Sequence, residues 1–346
     1  MKATVVIRSR NEADRLRLTL ASLSCQTEAA QIVVVDDGST DHTAAVVAEA
    51  ARTGDVVAIR HETALGRSAA ANAGARQADG DVLIFLDGDT LAGPDLVADH
   101  MARHRASPGL VVRGETYHIR CTRPFLDPEA GTPRRGEEER VARMSAEERA
   151  RSVVTREQIR HDFAAVARRG QPGVYPGYGP RKLFELEMAA LRDDADCGVL
   201  WAAASGSNQS VGRAAFLESG GFHPDLTINE HRELSLRLCQ AGLRMAASAA
   251  RTYHLIHRSG WRDPLDDKDW EGIFYAAHPR ADVALLPLLW QSLSDEKALA
   301  EPLRISSLAQ LAAIAADYPS LPRPEAVRAA YMAAPRPSFA RKPVHP

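Results

Sequence analysis

The chain has 346 residues, enough for one large α/β domain or for two domains with a sizeable hydrophobic core. Its 43 lysines and arginines are balanced by 45 aspartates and glutamates, so the total charge indicates neither a nucleic-acid partner nor binding to an anionic membrane. The four cysteines are scattered, and the apolar runs are too short for a signal peptide or a membrane span, which favours a soluble, cytoplasmic protein with reduced thiols.

The first hundred residues alternate between two hydrophobic periodicities. Strand patterns cover residues 3–7, 31–35, 56–60 and 81–90, and helix patterns cover 12–23, 40–51 and 68–78. Asn11 is placed to cap the first helix, and Ser39 or Thr40 is placed to cap the second. This order predicts right-handed crossovers and a parallel sheet with helices on both faces. The carboxyl ends of the strands are therefore expected at one edge of the sheet.

The fourth strand pattern ends in Asp87-Gly88-Asp89. In an extended backbone, residues i and i+2 project to the same side, so both carboxylates can reach one divalent cation. Gly88 leaves room for the other ligands of that cation. Such a pair is a weak signal alone, but open α/β sheets bind their ligands beyond the carboxyl ends of the strands.

Charged side chains also follow the first two strand patterns. Asp36 and Asp37 end the second one, where a carboxylate can accept hydrogen bonds from a nucleobase or a ribose. Arg8 and Arg10 end the first one. These arginines either form ion pairs with the neighbouring acids or bind a diphosphate.

Four segments together carry a family resemblance. They are Val5 to Glu12 (VVIRSRNE), Ile32 to Asp41, Gly66 to Gly74 and Phe85 to Thr90. In this order and spacing they resemble the nucleotide-sugar-binding half of glycosyltransferase family 2. That family has the GT-A fold, a Rossmann-like, mostly parallel sheet with helices on both faces.

The resemblance implies roles for individual residues. Asp36 or Asp37 would contact the uridine of the donor, and Asp87 and Asp89 would bind the metal ion that holds its diphosphate. Other residues assigned to the donor by resemblance are Arg8, Arg10, Glu12, Arg67, Asn72 and Gly88. The usual first-strand ending of the family is smaller than Arg8-Ser9-Arg10, so this corner is expected to be shaped for the protein's own donor.

Residues 121–200 form a long insertion in this pattern. Its charged segment, 137–169, favours a helix with a solvated face over a binding surface. A Gly-Pro-Tyr loop follows at 171–180, where Tyr175 and Tyr178 could form a platform for a sugar or an acceptor, or part of a lid.

The family resemblance returns after residue 200. Aligned on the family motif that follows Gly-Gly-Phe, Glu230 matches a glutamate, and His231 stands where the family commonly has its aspartate base. Either residue could take the proton of an acceptor hydroxyl at neutral pH. The structural alternative is that one of them caps a helix beginning at Glu233, in which Glu233 and Arg237 can form an ion pair.

A last group of polar residues lies at the end of a strand-like stretch, within residues 251–261. By resemblance, His254 is the third metal ligand, His257 and Arg258 lie near the diphosphate, and Trp261 belongs to a loop that closes over the donor.

The sequence thus divides into a nucleotide-sugar-binding half (1–120), a helical and loop insertion (121–200), an acceptor-binding and catalytic part (201–262), and a helical C-terminal region with a disordered tail (263–346).

Together with these patterns, the family resemblance implies a metal-dependent glycosyltransferase, with Mn²⁺ or Mg²⁺ as cofactor and a nucleoside-diphosphate sugar, in particular a UDP-sugar, as donor. The donor sugar, the oligomeric state and the acceptor, whether a glycan, lipid-linked sugar, peptide or small metabolite, stay open. Inversion is expected if Glu230 or His231 is the base, and retention stays possible otherwise. A non-catalytic nucleotide-sugar-binding relative is an alternative because of His231. The chain lacks the basic glycine-rich loop of a sugar-1-phosphate nucleotidyltransferase and the Gly-x-Gly-x-x-Gly motif of a dinucleotide-dependent oxidoreductase.

Overall fold

The structure is a computed structural model, and it describes residues 1–53, 56–172, 182–226, 228–257, 269–294, 303–320 and 323–334. Four residues singled out above lie outside these ranges, namely Tyr175, Tyr178, Arg258 and Trp261. The tail after residue 334 lies outside them as well.

The described residues form eleven strands and fifteen α-helices. The strands are β1 (Ala3–Ser9), β2 (Gln31–Asp37), β3 (Val56–His61), β4 (Val82–Asp87), β5 (Thr90–Ala92), β6 (Leu110–Ile119), β7 (Phe125–Asp127), β8 (Thr132–Pro133), β9 (Gly170–Pro172), β10 (Gln209–Gly212) and β11 (Arg244–Leu255). The helices are α1 (Ala13–Leu23), α2 (Thr43–Arg52), α3 (Arg67–Gln77), α4 (Leu96–Ala106), α5 (Glu138–Ala142), α6 (Ala146–Ser152), α7 (Arg156–His161), α8 (Phe163–Ala167), α9 (Lys182–Asp193), α10 (Arg213–Glu218), α11 (Glu230–Gln240), α12 (Trp270–Ala277), α13 (Ala281–Ser294), α14 (Leu308–Ala316) and α15 (Pro324–Ala333).

The predicted α/β class is confirmed. One sheet contains the strands in the order β3-β2-β1-β4-β10-β6-β11-β5, and β9 pairs with β6 outside this path. The first four strands in this order are mutually parallel, as the alternation of strand and helix predicts, and β6 and β11 are also parallel to each other. Strands β5, β9 and β10 run antiparallel to their partners.

Alternating residues of the central strands enter different hydrophobic clusters, as expected for a sheet covered on both faces. Val5 and Ile7 of β1 pack with Leu16 of α1, whereas Val6 lies in a second cluster. Helices α12 to α15 contribute buried residues to that second cluster, including Phe274. The C-terminal helices therefore share a core with the first strand of the chain.

Two local predictions were wrong. Asn11 does not cap α1: its backbone φ is 53°, and its Oδ1 accepts hydrogen bonds from the amides of Thr40 and Asp41. The carboxylate of Asp41 accepts from Ala13 N near the start of α1 and from Thr43 N at the start of α2, so Ser39 and Thr40 cap neither helix. Asp41, in the loop between β2 and α2, accepts the hydrogen bonds from these helix-start amides. The hydrophobic periodicity of a single segment does not reveal such a contact between two loops.

One further element differs from its predicted form. The strand predicted over 81–90 divides into β4 and β5, separated by a turn at Gly88 and Asp89. The charged segment 137–169 is helical, as predicted, and consists of four short helices, α5 to α8. Within the described parts of the chain, no helix is long and apolar enough to cross a bilayer.

Candidate active site

A cavity of about 420 Å³ lies where β1, β4, β6 and β11 end and α3 and α11 begin, a volume in the usual range for small-molecule sites. It is lined by most of the residues selected from the sequence, namely Arg8, Arg10, Glu12, Asp37, Arg67, Asp87, Gly88, Asp89, Glu230, His231, His254 and His257. Asp36 and Asn72 do not line it.

One carboxylate and two imidazoles meet at the wall of this cavity. Asp89 Oδ2 lies 3.2 Å from His254 Nε2 and 3.0 Å from His257 Nε2. One ligand atom from each of the three residues lies within 4.8 Å of the others. Burial by itself would raise the pKa of Asp89, but the two histidines hold it well below its usual range. These residues can hold a divalent cation.

The side chain of Asp87 contacts Arg8 and is not part of this carboxylate–imidazole cluster. Its Oδ1 accepts a hydrogen bond of 2.7 Å from Arg8 Nε, and the chain turns between Asp87 and Asp89. The prediction that both aspartates project together depended on an extended backbone, and the turn removes that condition. Gly88 is needed for close packing within this turn, because a Cβ there would lie 2.6 Å from Ser9 Oγ.

Arg8 connects the aspartate segment to α11. Its Nη1 donates to Glu230 Oε1 at 2.7 Å, and its Nη2 donates to the carbonyl of Gly206 at 3.2 Å. Burial alone would raise the pKa of Glu230, but the charge of Arg8 outweighs this and holds it well below the usual range. Glu230 is therefore ionised at neutral pH.

His231 is neutral and has a defined tautomer. Arg232 Nη1 lies 2.7 Å from His231 Nε2, and because arginine can only donate, Nε2 must accept. The proton of the neutral ring is then on Nδ1, which lies 3.6 Å from Glu230 Oε2. Burial lowers the pKa of His231, which favours this neutral form. Neither residue caps a helix beginning at Glu233, since α11 begins at Glu230.

The expected pair within α11 is present. Arg237 Nε and Nη2 donate to the two carboxylate oxygens of Glu233 at 2.7 and 2.8 Å. Glu233 also accepts from His278 Nε2 at 2.9 Å, and no atom of this group lines the cavity. The group joins α11 to the C-terminal helices.

His118 is a cavity residue that the sequence did not single out. It lies on β6 in register with His254 of the parallel strand β11, and the two Nδ1 atoms are 3.2 Å apart. The sequence signal was weak, because no strand was predicted over residues 110–119 and a single histidine there does not indicate a binding role. Only the pairing of β6 with β11 brings His118 to the cavity.

Three residues assigned to the donor by resemblance hold backbone segments in place. Asp37 accepts hydrogen bonds from the amides of Leu65 and Gly66 and lies 2.7 Å from His61 Nδ1. Asp36 Oδ1 accepts from the amide of Ser39. Asn72 bonds to both the amide and the carbonyl of Phe222 at 2.8 Å, which joins α3 to the Gly-Gly-Phe segment.

Glu12, also assigned to the donor, lies beside the histidine cluster. Its Oε1 is 3.8 Å from His257 Nε2, and its Oε2 accepts from Arg15 Nη1 at 3.3 Å. Burial raises the pKa of Glu12 despite the opposing charge of Arg15.

Solved structures with the same architecture are glycosyltransferases. Staphylococcus aureus TarS (residues 1–349) in complex with UDP-GlcNAc superposes with a TM-score of 0.53 at 15% identity, covering 82% of this chain and 67% of that one. GalNAc-T7 with UDP, GalNAc and Mn²⁺ superposes with a TM-score of 0.51 at 20% identity, covering 82% of this chain and 51% of that one. The fold of the chain is therefore that of the GT-A glycosyltransferases.

Sequence comparison also finds similarity to glycosyltransferases. Residues 4–170 match the family model described as "Glycosyl transferase family 2". An uncharacterized glycosyltransferase of Bacillus subtilis, YfnE, is 37% identical over 116 residues, which are 33% of this chain and 30% of that protein. Validoxylamine A glucosyltransferase of Streptomyces hygroscopicus subsp. jinggangensis is 40% identical over 119 residues, which are 33% of this chain and 28% of that protein. The chain thus spans less than a third of the length of these two relatives, and residues 4–170, just under half of the chain, are similar to glycosyltransferase family 2.

Proposed function

We propose that the chain is a metal-dependent glycosyltransferase that moves a sugar from a nucleoside-diphosphate sugar, in particular a UDP-sugar, to an acceptor hydroxyl. The observation that carries this proposal is the meeting of a carboxylate–imidazole cluster, an ionised glutamate and three arginines in one cavity. TarS was solved in complex with UDP-GlcNAc, and GalNAc-T7 with UDP, GalNAc and Mn²⁺. The ligands of these two structural neighbours support the donor class.

The proposed metal ligands are Asp89, His254 and His257. Two imidazoles suit Mn²⁺ better than Mg²⁺, which prefers an all-oxygen environment, so Mn²⁺ is the proposed ion of the two. The contact of His118 with the second ring nitrogen of His254 supports this assignment, because an outer partner of this kind orients metal-binding histidines. When bound, the ion would supply Lewis-acid stabilisation of the charge on the leaving diphosphate. In this proposal Asp87 orients Arg8 and is not a ligand.

Arg10 and Arg67 are proposed to bind the diphosphate. Both line the cavity, and Arg67 is the first residue of α3, where the positive end of the helix dipole also favours an anion. Asp37 and the loop that it holds are proposed to shape the nucleoside end of the site, since Asp37 lines the cavity and Asp36 does not.

Glu230 is the proposed base. It is a carboxylate at neutral pH and lines the cavity, whereas the lone pair on Nε2 of His231 is already used by Arg232. Its low pKa makes it a weak base in the ground state, so proton transfer is expected late, as the acceptor hydroxyl becomes acidic in the transition state. A single displacement with this base inverts the anomeric centre.

The test is a screen of nucleotide sugars by thermal shift with and without Mn²⁺, followed by donor hydrolysis assays and NMR of the product anomer. A ligand that binds only the folded chain raises its melting temperature. We expect a Mn²⁺-dependent shift with a UDP-sugar and release of UDP. A shift independent of the metal, or binding without turnover under any condition, would count against the proposal and favour a non-catalytic relative.

A further inference from the structure

A second cavity, of about 720 Å³, lies within the insertion. It is bounded by the single turn Arg120–Thr122 after β6, by α5 and α6, by the residues after α8, and by β9. Among the residues that the structure describes, its lining contains one acidic residue, Glu148, and six arginines, namely Arg120, Arg140, Arg143, Arg151, Arg168 and Arg169. We refer to it below as the arginine cavity.

Three of these arginines form ion pairs on the surface of the protein. Arg140, Arg143 and Arg151 form ion pairs with Glu137, Glu139 and Glu147 at 3.4, 2.5 and 3.2 Å. These three arginine side chains are 60 to 77% exposed, and exposed pairs one helical turn apart contribute little free energy. They can therefore turn toward an anion at small cost.

Arg169 is held in place by neutral groups. Its Nη1 donates to the carbonyls of Arg151 and Val153 at 3.1 and 2.6 Å, and its Nη2 donates to Gln158 Oε1 at 3.0 Å. These acceptors fix the half-buried guanidinium in the cavity wall without cancelling its charge. Its Nε also donates to the carbonyl of Ala165 at 3.2 Å, so Arg169 can offer an anion its positive charge and one remaining N–H of Nη2, while the flexible arginines supply further donors.

The arginine cavity is next to the candidate active site. Gln171, which lines it, is the direct cross-strand neighbour of His118, which lines the active-site cavity. Side chains of directly opposed residues lie on the same face of the sheet, about 5 Å apart at their Cβ atoms. The two cavities therefore adjoin on one face of the sheet.

We propose that the arginine cavity binds a phosphate or pyrophosphate group carried by the acceptor, which places the acceptor hydroxyl in the active site. This inference rests on the proposed glycosyl transfer. It also assigns a role to part of the insertion, whose charged helices the sequence favoured as a solvated surface.

The first experiment measures binding of inorganic pyrophosphate to the full chain by calorimetry, with Mn²⁺ and UDP present to occupy the donor site. The variant Arg143→Gln/Arg151→Gln/Arg168→Gln removes three exposed arginines of the cavity, and Arg52→Gln/Arg103→Gln/Arg160→Gln removes three exposed arginines elsewhere for the same change in net charge. We expect the cavity variant alone to lose affinity, by about tenfold or more, since each charge-assisted hydrogen bond is worth roughly a factor of ten. Equal affinities in all three proteins, or no binding to the wild type, would overturn the proposal.

The second experiment separates an acceptor phosphate from a free phosphate effector. Transfer to hexose 1-phosphates is compared with transfer to the same free hexoses. We expect a lower KM for the phosphorylated acceptors, with this advantage lost in the cavity variant and kcat little changed. Equal KM values, transfer to no hexose 1-phosphate, or a pyrophosphate-induced change in donor hydrolysis alone would overturn the acceptor assignment. Failure of the proposed function is seen separately, as the absence of Mn²⁺-dependent UDP binding while pyrophosphate binding remains sensitive to the arginines.

Discussion

Arg8 and Glu230 are 222 positions apart in the sequence, yet Arg8 Nη1 donates to Glu230 Oε1 across 2.7 Å. Their side chains are 11% and 3% exposed, so this is a largely buried ion pair. The same guanidinium donates to Asp87 at 2.7 Å, which ties the end of β4 to the start of α11. The position of the proposed base therefore depends on the first strand of the chain.

Removing Arg8 should leave Glu230 as an unpaired buried charge. Arg8→Met is expected to lower the free energy of unfolding by about 3 kcal/mol at neutral pH, the usual cost of breaking such a pair. The pKa of Glu230 should rise in this variant, so the loss should shrink as the pH falls and the carboxyl becomes protonated. Urea unfolding at several pH values measures both effects. The double variant Arg8→Met/Glu230→Gln should regain part of the stability, and a double variant no more stable than Arg8→Met would contradict the pairing.

The metal assignment predicts a difference between the two aspartates. Asp89→Asn and His257→Ala should each weaken Mn²⁺ binding at least about tenfold, because each removes one of three protein ligands. Asp87→Asn should affect Mn²⁺ binding much less, since Asp87 contacts Arg8. Electron paramagnetic resonance of free Mn²⁺ gives the dissociation constants, with the exposed-site variant His42→Ala as control. A stronger effect of Asp87→Asn than of Asp89→Asn would restore the ligand set predicted from the sequence.

The two residues at the start of α11 should differ in catalysis. Glu230→Gln is expected to lower kcat by a factor of about 10² to 10⁴ with little change in donor KM, as for loss of a general base. His231→Gln should lower kcat by about tenfold or less, because Nε2 of His231 is engaged by Arg232. Steady-state kinetics gives kcat and the donor KM of each variant. In the wild type, ¹⁵N NMR of the His231 imidazole should find the proton on Nδ1. The reverse order of the two kcat losses would make His231 the base.

A pair of buried histidines away from the site should make stability depend on pH. His104 Nε2 lies 2.8 Å from Ser210 Oγ, which lies 2.8 Å from His100 Nδ1, and His100 Nε2 lies 2.8 Å from Asn208 Oδ1. Burial lowers the pKa of both histidines from the ordinary 6.5 to about 4.

Between these two pH values, the unfolded chain binds protons that the folded chain does not, so stability should fall as the pH falls. The expected loss is about 3 kcal/mol per histidine between pH 6.5 and 4, with no contribution above pH 6.5. Urea unfolding of the wild type and of His104→Gln should show a shallower pH dependence in the variant. The exposed His161→Gln variant is the matched control, and identical slopes in all three proteins would rule out the explanation.

Asn72 provides a test of structural against donor-binding roles. Asn72→Ala removes two hydrogen bonds to the backbone of Phe222 and should lower the free energy of unfolding by about 2 kcal/mol. The dissociation constant for UDP, measured by calorimetry at a temperature where the variant is folded, should change less than about twofold. A large loss of UDP affinity in a stable Asn72→Ala variant would return this residue to the donor site.

The sequence by itself determined the local features of the protein, namely its strand and helix patterns and the polar residues that follow them. The alternation of strand and helix patterns, with polar residues at the strand ends, was sufficient for the parallel arrangement of the first four strands and for a group of polar residues at one edge of the sheet, because parallel strands end at one edge. The cavity residues after residue 200, such as Glu230 and His254, were selected through the family resemblance and not through periodicity.

What only the tertiary structure decided is how these side chains are paired. A turn at Gly88 and Asp89 sends Asp87 to Arg8 and Asp89 to the histidines, and the register of β6 against β11 brings His118 beside His254. Both outcomes depend on contacts between segments that are distant in the chain. A carboxylate or an imidazole binds whichever partner the packed backbone brings within hydrogen-bonding distance, and that distance is not encoded in any single segment.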